Sequence, residues 1–86
     1  MSLVILEKAK DDLKEMDPAM RQLFIARFEK VEATPPGRHL RSGLPYNVEN
    51  VTKQARFVYE KDGGDICVVR CFATHKEYER WFKSFK

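Results

Sequence analysis

The chain has 86 residues, 34% of them charged and 43% hydrophobic, with a formal net charge of +3. This composition predicts one small globular domain over residues 1–86. No apolar run approaches the roughly 20 residues that a bilayer span needs, and the apolar N-terminus lacks the basic start of a signal peptide. We therefore expect a cytoplasmic protein with no membrane partner.

The positive charge lies in the second part of the chain. Residues 1–33 carry six basic and seven acidic side chains, whereas residues 34–86 carry ten basic and six acidic ones. Such an excess suggests a polyanion or an acidic protein as partner. A solvated basic surface explains it equally well.

The two cysteines and two histidines do not form a metal site in the sequence pattern. Cys67 and Cys71 would lie roughly 13 Å apart on a strand, too far for a disulfide. Neither they nor His39 and His75 have ligand partners at zinc-site spacing. We expect buried free thiols in a reducing cytoplasm, no metal and no cofactor.

The first part of the chain predicts a strand and a helical hairpin. Leu3 to Leu6 is a short apolar run, interpreted as a strand buried on both faces. Glu7 to Met16 has apolar residues at helical spacing, and Asp17-Pro18 then fits the start of a second helix. The apolar stripe of that second helix comprises Met20, Leu23, Phe24, Arg27, Phe28 and Val31.

The second part predicts three strands and a last helix. A loop over residues 38–46 is followed by strands at residues 47–53, 56–60 and 66–72, with Asp62-Gly63-Gly64 as a hairpin turn. The last helix carries an apolar stripe, formed by Tyr78, Trp81, Phe82 and Phe85. The order predicts an α+β fold: an N-terminal strand, a helical hairpin, a three-stranded antiparallel meander and a C-terminal helix. We expect the helices to pack on one face of the sheet.

The junction between the last strand and the last helix is rich in functional groups. Thr74 and Glu77 fit a capping box, which places His75 and Lys76 in the first helical turn. Free N–H groups and the positive end of the helix dipole favour an anion there. The junction is therefore a candidate anion site.

No catalytic triad or glycine-rich phosphate loop is visible. The remaining candidates are basic and aromatic side chains of the second part: His39, Arg41, Lys53, Arg56, Arg70, His75, Lys76 and Tyr78. Arg56 lies on a strand, where an unpaired buried charge would cost several kcal/mol, so it must face water, an acid such as Glu49, or a bound anion. Each of three candidates also has a structural explanation that competes with a functional role: a salt bridge for Arg56, helix capping for His75 and core packing for Tyr78.

The arrangement resembles the RelE/ParE superfamily of toxin–antitoxin toxins over nearly the whole chain. The resemblance includes the short first strand, the hairpin broken near Asp17-Pro18, and the segments Leu40-Arg41-Ser42-Gly43 and Arg56-Phe57-Val58-Tyr59. It also includes the ending Thr74-His75-Lys76-Glu77-Tyr78-Glu79-Arg80-Trp81, which is similar to that of one RelE-like branch.

The resemblance implies a toxin that is neutralised by a small acidic antitoxin and that cuts mRNA at the ribosome without a metal. Arg56 would bind the transition-state phosphate, His75 would act as acid or base, and Lys76 would contact an anion. Tyr78 would stack on a base or donate a hydrogen bond. RNA binding would involve His39, Arg41, Lys53 and Arg70.

The sequence departs from this pattern on the strand after the glycine loop. RelE-type nucleases carry lysines there, whereas this chain has Asn47, Glu49 and Asn50. Glu49 would act as a base or repel RNA. Two alternatives therefore stay open: a ParE-type toxin that inhibits DNA gyrase without cutting RNA, and a decayed toxin that only binds an antitoxin.

Overall fold

The computed structural model describes residues 3–33 and 46–84. Within these ranges it contains the predicted elements in the predicted order. They are β1 (Leu3–Ile5), α1 (Glu7–Lys14), α2 (Pro18–Ala33), β2 (Asn47–Asn50), β3 (Arg56–Asp62), β4 (Asp65–Phe72) and α3 (His75–Lys83). The α+β prediction is confirmed.

The four strands form one mixed sheet in the order β1-β4-β3-β2. β2, β3 and β4 are the predicted antiparallel meander, and β1 pairs in parallel with β4. The expectation that β1 is buried on both faces is wrong, because β1 is an edge strand and its Val4 is 44% exposed. β2 is also shorter than predicted, since the chain turns after Asn50.

The helical hairpin is built as the sequence predicts. Oδ1 of Asp17 accepts a hydrogen bond from the amide of Met20 at 2.8 Å, and Pro18 opens α2. The Arg21 side chain then donates to the carbonyl groups of Leu13 at 3.0 Å and Met16 at 2.9 Å. Because the last carbonyl groups of a helix have no partner within it, Arg21 completes the end of α1.

The main core lies between this hairpin and one face of the sheet. Three aromatic rings meet at its centre: Phe28 and Phe57 are 4.9 Å apart, and Phe24 packs on both. Leu23 was predicted in the apolar stripe of α2 but is 47% exposed, so the buried stripe is narrower. The buried members of the core are Ala9, Leu13, Phe24, Phe28, Val31, Ala55, Phe57, Tyr59, Ile66, Val68 and Cys71.

A β-bulge in β4 changes which residues face this core. Val58 pairs with Arg70 and Tyr59 pairs with Val68, so Val69 is an extra residue without a cross-strand partner on β3. An extra residue shifts the alternation of all residues that follow it. As a result Cys71 joins the core, and the next residue, Phe72, points to the other face of the sheet.

α3 packs on that other face. The Phe72 ring lies 5.9 Å from Tyr78 and 5.6 Å from Trp81, so the predicted packing of the α3 stripe on the sheet is confirmed for these residues. The fourth member of the stripe, Phe85, lies outside the described residues. The expectation that all helices share one face is wrong, because the bulge moves Phe72 away from α1 and α2.

Candidate functional site: the junction of β3, β4 and α3

Arg56 and Tyr78 are in direct contact on the face of the sheet that α3 partly covers. The guanidinium carbon of Arg56 lies 5.0 Å from the centre of the Tyr78 ring, within the range of a cation–π interaction. Nη2 of Arg56 donates to the carbonyl oxygen of Lys53 at 3.2 Å. Nε is buried and has no acceptor among the described residues. Arg56 is therefore held in place without a carboxylate partner in residues 3–33 and 46–84.

Glu49 does not belong to this face. It lies opposite Phe57, a core residue, and its carboxylate is 3.4 Å from Nη1 of Arg27 on α2. Cross-strand partners share a face of the sheet, so Glu49 faces the hairpin. The prediction that Glu49 pairs with Arg56 is therefore wrong, whereas the prediction that Glu49 acts as a base or repels RNA stays a prediction.

The other polar residues of β2 divide between the two faces. Asn47 lies opposite Tyr59 and is buried, whereas Asn50 lies opposite Arg56 and is exposed. Of the three residues that stand where RelE-type nucleases would carry lysines, only Asn50 thus shares the face of Arg56. β2 supplies this face with Val48 and Asn50, neither of which carries a charge.

The start of α3 has the predicted capping box. Oγ1 of Thr74 accepts from the amide of Glu77 at 3.2 Å, and the Glu77 carboxylate accepts from the amide of Thr74 at 3.3 Å. In addition, the amide of His75 donates to Oε1 of Gln54 at 3.2 Å. Since the amides of His75 and Glu77 are engaged within the chain, an anion at this helix start would depend mainly on side chains.

The His75 ring lies beside Tyr78 and points along α3 toward Glu79. Its centre is 6.3 Å from the Tyr78 ring centre, Nε2 pairs with the Glu79 carboxylate, and Nδ1 is buried without an acceptor or donor among the described residues. A carboxylate that holds an imidazole is a common way to orient it. In this rotamer, however, Nε2 is paired with a carboxylate and Nδ1 is buried, so proton transfer to or from a substrate requires the ring to turn.

Tyr78 is a half-buried phenol between a cation and a set of rings. Burial raises the pKa of its hydroxyl group, and the charge of Arg56 acts in the opposite direction. The hydroxyl is therefore protonated at neutral pH and able to donate a hydrogen bond. Its ring also stacks on Phe82 at 6.0 Å, while Trp81 packs on Tyr46 at 5.6 Å. Trp81 and Phe82 pack as predicted.

Arg70 lies apart from this cluster, in a groove of about 430 Å³ between α1, the end of β4 and α3. Its Nε donates to the Asp12 carboxylate at 2.8 Å and its Nη2 donates at 3.1 Å. The hydrogen bond to Asp12 is the main cause of the raised pKa of Arg70. Arg70 thus has a structural partner of its own.

Each remaining predicted site residue either has no such partner among residues 3–33 and 46–84 or lies outside these ranges. Lys76 is exposed in the first turn of α3, and Lys53 is exposed in the turn before β3. His39 and Arg41 lie outside the described residues, as does the Leu40-Arg41-Ser42-Gly43 segment. The structure thus brings Arg56, His75 and Tyr78 into contact, with Lys53 and Lys76 on the neighbouring turns.

Two residues of this region were missed by sequence reasoning. Gln54 contacts α3 from the turn before β3, and Asp12 holds Arg70 from α1 across 58 residues of sequence. A polar residue in a turn or on an exposed helix face carries no periodic signal. Only the hydroxyl residue Thr52 marks the turn itself.

Neither a metal site nor a membrane span appears in the described residues. No group of three His, Cys, Asp or Glu side chains within them is arranged to hold a metal ion. No helix among them has both the length and the apolar character needed to cross a bilayer. Within the described residues neither cysteine forms a disulfide; Cys71 is buried as predicted, whereas Cys67 is partly exposed, so its predicted burial is wrong.

Comparison with known proteins gives similarity at the level of structure. No family model and no curated protein matches the sequence. The isolated Escherichia coli RelE toxin superposes with a TM-score of 0.70 at 15% identity, over 98% of this chain and 97% of RelE. The YoeB/ParE toxin from Agrobacterium tumefaciens gives 0.64 at 23% identity, over 83% and 95%.

A third similar structure is the intact E. coli RelBE toxin–antitoxin complex, with a TM-score of 0.68 at 16% identity over 80% of this chain and 90% of the matched one. These three structures are matched over 90 to 97% of their own length. The chain therefore has the RelE-like toxin fold that RelE and YoeB share.

Proposed function

We propose that this protein is the toxin of a type II toxin–antitoxin pair and inhibits translation as a ribosome-dependent mRNA endonuclease. The fold supports the toxin assignment. The observation that carries the nuclease assignment is the contact between Arg56 and Tyr78 beside the start of α3. It presents a guanidinium without a carboxylate partner in the described residues, next to a neutral phenol and an imidazole.

The proposed reaction is attack of an RNA 2′-oxygen on the adjacent phosphorus. The 2′-hydroxyl proton passes to a general base, the bond from phosphorus to the 5′-oxygen breaks, and a general acid protonates that oxygen. The products are a 2′,3′-cyclic phosphate and a 5′-hydroxyl end. Negative charge grows on the phosphate oxygens in the transition state, and fixed cations stabilise it.

Each site residue has a role in this scheme. Arg56 stabilises the pentavalent phosphate, and Tyr78 stacks on a base or donates its hydroxyl proton in a hydrogen bond. His75 serves as acid or base once its ring has turned from Glu79. Lys53 and Lys76, with His39 and Arg41, bind the RNA backbone. Arg70 would join them only if its pair with Asp12 opens.

Primer extension on translated mRNA tests this proposal. We expect the wild-type protein to produce cuts within translated codons, and Arg56→Ala and His75→Ala each to abolish them while the proteins stay folded by circular dichroism. Lys30→Ala on α2 removes one exposed positive charge on the opposite side of the sheet and serves as the matched control. Absence of any cut by the wild type would contradict the nuclease proposal.

A second candidate function is ParE-type inhibition of DNA gyrase without RNA cleavage. The observation in its favour is the composition of β2: the residues that share the face of Arg56 are Val48 and Asn50, and neither is basic. Gyrase supercoiling in the presence of the protein separates the two candidates. Stalled supercoiling with intact mRNA would support this one. Neither effect, with antitoxin binding retained, would indicate a decayed toxin.

The proposed partner is a small acidic antitoxin. The net charge of +3 suits such a partner, and one of the similar structures is a toxin–antitoxin complex. Co-expression with the product of an adjacent short reading frame should relieve growth arrest and give a complex that co-purifies. Growth arrest that persists beside a bound product would contradict its role as antitoxin.

A further inference from the structure

We propose that Gln54 is a positioning residue that holds the start of α3, and with it His75 and Tyr78, in register with Arg56. No sequence pattern marks this residue, and its side chain makes the contact from the turn between β2 and β3. The catalytic consequence of the inference depends on the proposed nuclease function. The positional claim does not.

The turn that carries Gln54 is held by its own hydrogen bonds. The amides of Val51 and Thr52 donate to the carbonyl oxygen of Ala55 at 2.8 and 3.1 Å. Oγ1 of Thr52 accepts from the amides of Gln54 at 3.2 Å and Ala55 at 2.9 Å. A hydroxyl that caps following amides is a recurrent way to fix a turn. Ala55 is fully buried, which anchors the turn in the core.

This turn contacts both halves of the site. The carbonyl oxygen of Lys53 accepts from Nη2 of Arg56, and the side chain of Gln54 accepts from the amide of His75, each at 3.2 Å. The first contact fixes the guanidinium of the strand residue, and the second fixes the helix that bears the imidazole and the phenol. Gln54 and His75 are 21 residues apart in sequence, so this hydrogen bond is a tertiary contact.

None of the residues of α3 is fully buried. Among the described residues, α3 contacts the sheet through the ring of Phe72 and the guanidinium of Arg56, and Trp81 also packs on Tyr46. An aromatic contact fixes the distance between helix and sheet but permits sliding of one ring over another. A hydrogen bond at the first residue of α3 restricts that sliding. Because a displacement of about 1 Å can cost on the order of 100-fold in rate, such a restriction matters for catalysis.

The chemistry of an amide side chain suits this place. A neutral oxygen acceptor satisfies the His75 amide without adding negative charge beside Arg56 and Lys76. A carboxylate would make the same hydrogen bond but repel a phosphate. Gln54→Glu therefore separates the effect of helix position from the effect of charge, because it keeps the hydrogen bond to the His75 amide and weakens RNA binding. Gln54→Met keeps the length of the side chain and removes the acceptor, and Gln54→Ala removes both.

The position is tested by nuclear magnetic resonance on the full chain, without substrate. We expect the His75 amide to exchange with solvent about fivefold faster in Gln54→Met and Gln54→Ala, from the loss of one exposed hydrogen bond. The Arg56 side-chain signals should lose part of the shift that the Tyr78 ring causes. Gln54→Glu and the exposed-glutamine control Gln22→Ala should match the wild type in both measurements.

Unchanged exchange and unchanged Arg56 shifts in Gln54→Met would overturn the positional claim. If Gln54→Ala fails to fold, Gln54→Met still decides it. For the reaction, we expect Gln54→Met to lower the cleavage rate at saturating substrate about tenfold, and Gln54→Glu mainly to raise KM. Wild-type rates in Gln54→Met, beside altered resonance signals, would overturn the catalytic role. A wild-type protein that cuts no mRNA would refute the proposed function and leave the resonance result to decide the position.

Discussion

Asp12 on α1 binds both the side chain of Arg70 and the backbone of the next residue on β4. Its carboxylate accepts from Nε and Nη2 of Arg70 at 2.8 and 3.1 Å and from the amide of Cys71 at 3.0 Å. Two of these bonds form the parallel pair typical of arginine and a carboxylate. One acidic side chain thus joins α1 to the end of β4, beyond the point where β1 stops pairing with that strand.

We expect Asp12→Ala to lower the free energy of unfolding by about 2 kcal/mol, because it leaves a partly buried guanidinium and a backbone amide without acceptors. Urea denaturation measures the change. Asp11→Ala, at an exposed position one residue earlier, is the matched control and should change stability by less than about 0.5 kcal/mol. Equal effects of the two substitutions would show that the contacts of Asp12 add nothing to stability.

The ring and the hydroxyl group of Tyr78 make separable contributions. Tyr78→Phe keeps the aromatic face under Arg56 and the packing on Phe72, whereas Tyr78→Ala removes both. We expect the phenylalanine variant to cut translated mRNA within about tenfold of the wild-type rate, and the alanine variant to lose at least about 100-fold. A loss of activity as large for phenylalanine as for alanine would instead assign the role to the hydroxyl group.

Alkaline pH should destabilise the fold through Tyr59. Burial, helped by the charge of Glu49, raises its pKa to about 12. Because the folded state holds this proton more tightly than the unfolded chain, the contribution is fully present below about pH 10 and is lost as pH rises toward 12. We expect a loss of about 1 to 2 kcal/mol over that interval in the wild type.

Tyr59→Phe removes the titrating hydroxyl and tests this pH dependence. The free energy of unfolding of the variant should fall less steeply between pH 10 and 12 than that of the wild type. Chemical denaturation at a series of pH values gives both slopes. Parallel slopes for the two proteins would mean that Tyr59 does not titrate in the folded state as its burial requires.

The two thiols should react at different rates. Cys71 is only 3% exposed, and burial raises the pKa of its thiol, whereas Cys67 is partly exposed. Because the thiolate is the reactive form, a disulfide reagent should modify one thiol per chain quickly in the native protein and both after denaturation. Cys67→Ser should remove the fast phase. A fast phase that persists in this variant would place the exposed thiol at Cys71.

Local patterns in the sequence predicted the elements because each rests on neighbouring residues. The capping box of Thr74 and Glu77 and the start of α2 at Asp17-Pro18 are satisfied within one helical turn, so their partners are visible in the sequence. The alternation of Phe57 and Tyr59, both of which lie in the core, is likewise a pattern of neighbouring residues. Element order together with the resemblance was then sufficient for the fold.

What the sequence did not predict depends on partners far apart in the chain. Whether Glu49 faces Arg56 or Arg27 is decided by its cross-strand neighbour, and Asp12 meets Arg70 only after α1 and β4 are packed. In the sequence Gln54 is only a turn residue, and its contact with α3 appears only in the folded chain. Of the predicted site residues, Arg56, His75 and Tyr78 lie in contact in the structure, while the residues that hold them became visible only in three dimensions.

The extra residue in β4 has a consequence for how one small sheet can pack helices on both of its faces. If Val69 were paired in the ladder instead of bulged, strict alternation would turn Phe72 toward α1 and α2, and α3 would lose the ring on which Tyr78 and Trp81 pack. A single bulged residue thus decides which side chains at the end of this strand face each of the two layers. Deletion of Val69 would be expected to remove the bulge yet keep the pair of Phe72 with Arg56, so α3 should stay beside the strand arginine.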